Sequence, residues 1–214
     1  YDNIDGEFNV AIGAWSLYKT TVSGNSAIGY RSLYNNTNGQ SNTAVGSQTL
    51  EQNIGGQNNT VVGYQSFQSN TTGGFNVAIG AGSGVVSVNN SPNINSNSSI
   101  FIGYNSKSFN TSSTNEIVIG ATAIGNGSNS VTLGNDNITK TILKGNIGIG
   151  TASPSTKLHI FATQSGAFRL QDGTQADGYI LKSDANGLAT WASGTTPNLT
   201  QVVAQGDLLI GNSG

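Results

Sequence analysis

One four-residue phrase, ending in glycine, recurs along the chain and restricts the fold more than any other feature. It stands as Val10-Ala11-Ile12-Gly13, Ser26-Ala27-Ile28-Gly29, Thr43-Ala44-Val45-Gly46, Thr60-Val61-Val62-Gly63 and Val77-Ala78-Ile79-Gly80. It continues as Ile100-Phe101-Ile102-Gly103, Ile117-Val118-Ile119-Gly120, Val131-Thr132-Leu133-Gly134 and Ile147-Gly148-Ile149-Gly150. Successive glycines are 16, 17, 17, 17, 23, 17, 14 and 16 residues apart. A near-constant period of this length is the signature of a solenoid, in which each unit buries its apolar face only by stacking on the next.

Aligned on the glycine, each position has a role. The preceding residue is always aliphatic: Ile12, Ile28, Val45, Val62, Ile79, Ile102, Ile119, Leu133 and Ile149. This row is expected to form the inner, core ladder. The residue between the two strand flanks, usually Ala, then points to the opposite face because strand side chains alternate. Four residues after the glycine come Leu17, Leu33, Leu50 and Phe67 in the first four copies. Ten or eleven after it comes a second glycine (Gly24, Gly39, Gly56, Gly73) in text rich in Asn, Ser and Thr. That composition favours turns, where Gly and Asn accept positive φ. Each unit therefore reads as a short strand, a bend, a second short segment and a polar turn. No 3.6-residue periodicity supports helices. The expected class is all-β, a parallel β-roll or β-solenoid, with residues 1–139 as the repeat region.

The wider interval between Gly80 and Gly103 contains Pro92, which is excluded from a central strand and marks an inserted loop. Residues 140–160 read as a transition, with an alternating strand at Lys157-Leu158-His159-Ile160. Residues 161–214 read as a smaller β-rich segment with strands near 167–170, 179–182 and 188–191. Asn186-Gly187 is a hairpin signal between the last two. Residues 192–214 read as linker. A chain that opens on Tyr1 and has no Met is expected to be a piece of something longer.

Composition narrows function. Charged residues make up 8% of the chain, and eight Lys and Arg cannot build the basic patch that nucleic acid requires. There is no Cys, hence no disulfide or thiolate chemistry, and no apolar run approaches a membrane span. Within the repeats the carboxylates occupy no fixed position. Asp2, Asp5 and Glu7 cluster only at the N-terminal edge, and His159 is the sole histidine. A catalytic triad or a histidine metal site thus lacks its members. Gly145-Asn146-Ile147-Gly148-Ile149-Gly150 lacks the Lys-Ser/Thr ending of a phosphate loop. The expectation is a protein that is not an enzyme and carries no cofactor or metal.

Aromatic residues are the candidate ligand-binding groups. Tyr30, Tyr64 and Tyr104 directly follow the repeat glycine and should line one side of a solenoid, and Trp15 occupies an expected exposed position shared with Arg31, Gln48 and Gln65. Such a row could stack on sugars, or its tyrosines could pack between layers or chains with their hydroxyls at the rim.

The unit Asn-X-Ala-Ile/Val-Gly-Tyr-X-Ser-Leu, followed by Asn-Thr-X-Gly, resembles the head repeats of trimeric autotransporter adhesins. It is still more similar to the repeats of long tail fibres of tailed bacteriophages. Leu143 to Thr151 running into Ser153-Pro154 and Lys157 to Ile160, then Asp172 to Gln175 and Ile180 to Trp191, resemble further tail-fibre segments. The resemblance implies a parallel homotrimer located in the virion, outside the cell. Its partners would be itself, other tail-fibre or virion proteins, and a bacterial surface glycan or protein receptor, with no membrane insertion in this segment. Two alternatives stay open: the head of a bacterial trimeric adhesin at the cell surface, and a polysaccharide-degrading phage spike.

Overall fold

A computed structural model describes residues 6–164 and 168–194. Two compact units divide the chain, Tyr1–Thr141 and Ile142–Gly214. In the first, eight strands stack in chain order as one parallel sheet. They are β1 (Val10–Ile12), β2 (Ser26–Ile28), β3 (Thr43–Val45), β4 (Thr60–Val62), β5 (Val77–Ile79), β6 (Ile100–Ile102), β7 (Glu116–Ile119) and β8 (Ser130–Leu133). Equivalent positions of neighbouring copies lie opposite one another, Ala27 against Ala44, Ala44 against Val61 and Val61 against Ala78. The sequence period has become the rise of one rung, about 4.8 Å. The unit is a β-solenoid, and no described residue is helical.

The ninth copy of the phrase is not a ninth rung. Ile147–Ile149 (β9) pairs instead in parallel with Leu158–Ile160 (β10) as a two-stranded sheet in the second unit. Tyr179–Ser183 (β11) and Ala189–Ser193 (β12) form an antiparallel hairpin. Its turn is set by Asp184, whose Oδ1 accepts the backbone N–H groups of Asn186 and Leu188, both at 2.8 Å. Gly187 supplies the positive φ. The strand expected near 167–170 does not form at Phe168–Leu170. Asp2, Asp5, Ala167 and the linker expected from 195 onward lie outside the described residues.

The aliphatic row expected to be the core is on the outside. Ile12, Ile28, Val62, Ile79, Ile119 and Leu133 are exposed, Val45 and Ile102 are half-buried, and Ile149 is exposed in its separate sheet. Buried instead are the middle strand residues Ala27, Ala44, Val61, Ala78, Phe101 and Val118. The reason is volume. Each turn is closed by its second segment, which carries Leu17, Leu33, Leu50 or Phe67 inward, and the thin interior leaves room for only a small strand residue opposite. Where the second segment offers no large side chain, the sizes reverse. Gly84 stands at the Leu/Phe position of β5's turn, and Phe101 of β6 fills the space, its ring centroid 5.9 Å from that of Phe67. A Cβ on Gly84 would lie 3.0 Å from both rings.

Much of the interior is polar, and its asparagines are paired. Asn25, Asn42, Asn59 and Asn76 sit one residue before strands β2 to β5, fully enclosed. From Asn42 on, each rung's Asn donates from backbone N and Nδ2 to the Oδ1 of the Asn below, as Asn59 does to Asn42 (both 3.0 Å) and Asn76 to Asn59 (both 3.0 Å). A second ladder runs through Asn36, Asn53 and Asn70, with Nδ2 to Oδ1 distances of 2.8 and 2.9 Å. Each Asn of this ladder also donates to the carbonyl of the turn glycine three residues on: Gly39, Gly56 and Gly73. Buried amides are tolerated because both donor and acceptor functions are met. Glu116 takes the place of Asn in β7, and its carboxylate accepts the N–H groups of Gly127 (2.8 Å) and Phe109 (3.2 Å).

Candidate functional site

The feature able to meet a ligand is the ridge where each rung leaves the sheet. After the repeat glycine, the second residue is in the left-handed region on every rung where the ridge is regular: Trp15 (φ 60°), Arg31 (53°), Gln48 (57°), Gln65 (51°), Gly82 (66°), Asn105 (49°) and Thr122 (54°). Such a φ is costly for residues other than glycine. It is held by a hydrogen bond between rungs, for example from Gln48 N to Tyr30 O (2.7 Å) and from Gly82 N to Tyr64 O (2.9 Å). The bond repeats at each step, so the side chains of the ridge stand in register.

Two rows run along it. Directly after the glycine come Ala14, Tyr30, Ser47, Tyr64, Ala81, Tyr104 and Ala121. Tyr30, Tyr64 and Tyr104 are 45%, 55% and 58% exposed. Exposure of this degree keeps all three rings at the surface of the single chain. Between the first two layers Tyr18 and Tyr34 stack, their rings parallel within 4° at 5.2 Å.

Trp15 belongs to the neighbouring row and is exposed, as expected from its position. The structure brings it to Tyr30, with ring centroids 5.7 Å apart, and to Tyr34 at 6.4 Å. Tyr64 and Tyr104 lie on higher rungs, so the four candidates form a line and not one pocket. Arg31 lays its guanidinium over Tyr34 at 4.4 Å and at 6.0 Å from Trp15, geometry that suits a cation–π contact. Its Nε is 3.0 Å from the buried Glu51 carboxylate, which also accepts Nε2 of Gln48 (3.2 Å) and Gln68 (2.6 Å). Gln65 Nε2 then donates to Gln48 Oε1 at 3.2 Å. Sequence reasoning missed this chain of side chains. The signal was faint, since Glu51 follows a repeat Leu where other copies have Tyr18, Tyr34 and Gln68.

Beside Gly82 the ridge opens into a cleft of about 310 Å³ lined by Gln65, Val85, Val86, Asn90, Asn105 and Lys107. The insertion after Gly80 forms one wall, folded back through a bridge between Val86 and Pro92. Among the described residues no three His, Asp or Glu side chains are grouped as metal ligands. Asp172, in the second unit, is held below the usual carboxylate range by hydrogen bonds from the backbone N–H and hydroxyl of Thr174. No helix of the described residues is long and apolar enough to cross a membrane.

The second surface of note is the outer face of the sheet. Toward β8 it becomes continuously aliphatic, with Val77 and Ile79, Ile100 and Ile102, Ile117 and Ile119, then Val131 and Leu133 on one side. No family model, curated protein or solved structure matches the chain.

Proposed function

We propose that this chain is a structural, non-enzymatic piece of a homotrimeric phage tail fibre that presents, or helps to bind, a receptor on the bacterial surface. The observation that carries the reading is the outer face of the sheet. A row of Ile, Val and Leu recurs on every rung, yet the fold of one chain leaves it exposed or half-exposed. Contiguous apolar surface of this kind marks an interaction site. The row follows the stacked strands and rises about 34 Å over eight rungs at the usual strand spacing. A partner with the same rise and the same aliphatic spacing would match it along its whole length, and another copy of the chain has both. Three copies facing inward would bury the rows around a common axis, giving a stiff rod with few charges. The resemblance of the repeats to tail-fibre sequence supplies the biological setting, and with it virion partners above and below the segment.

The test is the mass of the chain in solution by light scattering across a hundredfold dilution. Three chains of 21.9 kDa each would weigh about 66 kDa, and that mass should persist on dilution. A folded 21.9 kDa monomer at all concentrations would contradict the proposal.

A further inference from the structure

We infer that the ridge tyrosines Tyr30, Tyr64 and Tyr104 form a comb that binds an extended, neutral, β-linked polysaccharide laid along the solenoid. They occupy the rungs of β2, β4 and β6, so they recur on every second rung. The rungs between carry only Ser47 and Ala81, so no aromatic ring stands between successive teeth, and Trp15 flanks the first tooth, Tyr30, from the rung before it. Two rungs advance about 9.6 Å. In an extended β-linked glycan successive sugars turn over, so the same ring face returns once per disaccharide. The advance of such a disaccharide is close to that of two rungs. A comb of this pitch meets an equivalent C–H face on every second sugar, and tyrosine offers a flat apolar surface with a polar tip.

The neighbouring row supplies hydrogen bonding. Gln48 and Gln65 are held by the chain of contacts through Glu51 to Arg31, so their ordering on binding costs less than that of free side chains. Amides both donate and accept, which suits hydroxyl groups. The sign of charge argues against a polyanion: the chain carries a formal −2, and the Arg31 guanidinium is already paired with Glu51. At Gly82 the row has no side chain, and the cleft that opens there lies between the rungs of Tyr64 and Tyr104. It would admit a branch or substituent of the polymer. The comb is built within one chain, so this inference does not rest on the trimeric reading.

The experiment is calorimetric titration of the full chain with cellohexaose and chitohexaose, and with the corresponding disaccharides, with the mass of each sample measured by light scattering. At least one hexasaccharide should bind about tenfold or more tightly than its disaccharide, because it spans several teeth. Tyr64→Ala should weaken hexasaccharide binding by about tenfold, and Tyr64→Phe, which keeps the ring, should restore it. Gln57→Ala, an exposed substitution away from the ridge, serves as the folded control. Absence of binding to both hexasaccharides, equal affinity for hexa- and disaccharide, or an unchanged affinity in a folded Tyr64→Ala protein would overturn the inference. A monomeric mass with length-dependent binding would overturn the trimer and leave the comb standing. A trimer without binding would do the reverse.

Discussion

Asn59 shows how a chain this poor in large apolar residues holds a fold. Its Nδ2 donates to Asn42 Oδ1 and to Gly73 O, and its Oδ1 accepts both N–H donors of Asn76. A buried hydrogen bond contributes modestly, whereas an orphaned buried donor or acceptor costs about 1–3 kcal/mol. Asn59→Ala leaves the buried backbone N–H of Asn76 without an acceptor and takes one of two partners from Asn42 Oδ1, Gly73 O and Asn76 Nδ2. Urea denaturation should therefore show a loss of roughly 2–4 kcal/mol, against a change within about 0.5 kcal/mol for the exposed Gln57→Ala. The asparagines were legible as a recurring letter, four residues before the repeat glycine in the first five copies. Turn chemistry accounted for their frequency, and only the enclosure of Asn25 to Asn76 reveals that they form an interior ladder.

At the scale of the rung, what decides the structure is how close successive backbones come. Gly63 has φ +135°, and a Cβ there would lie 2.6 Å from Gly80 O on the next rung. Gly55, one turn earlier, has no atom within 4 Å of such a Cβ. Gly63→Ala is expected to cost more than about 2 kcal/mol, while Gly55→Ala should fall within about 1 kcal/mol of the parent. Thermal denaturation of the two variants checks the contrast. Equal effects would mean that the rungs are not stacked in this register.

The strands themselves were readable from period alone, since each of β1 to β8 falls on a copy of the phrase. Their inward face was not. In Val10-Ala11-Ile12 both faces are apolar, so alternation separates two faces without saying which is buried. The answer depends on the volume left by Leu33, Leu50 and Phe67 from the other side, and that favours Ala over Ile. Phe101 opposite Gly84 shows the same rule with the sizes exchanged. Tyr30, Tyr64 and Tyr104 were visible as a row in the sequence. Their exposure, and the contact of Trp15 with Tyr30, depend on the bend geometry that the left-handed residues create.

Over the whole molecule, the exposed aliphatic face is the consequence of that inversion. The fold of one chain satisfies its asparagines and its small core, and leaves its longest apolar row outside. The proposed trimer covers that row, and it does so with each Ile facing its own counterparts around the axis. The chain has no cysteine, so the arrangement can be read with one introduced thiol. Ile79→Cys places it on the outer face of the sheet, and Asn58→Cys places it at an exposed turn before β4. After mild oxidation, Ile79→Cys should give covalently linked pairs of chains in high yield on a denaturing gel, independent of dilution, while Asn58→Cys stays monomeric. Failure of a folded Ile79→Cys protein to cross-link, or equal cross-linking of both variants, would contradict the claim that the sheet faces of identical chains meet in register.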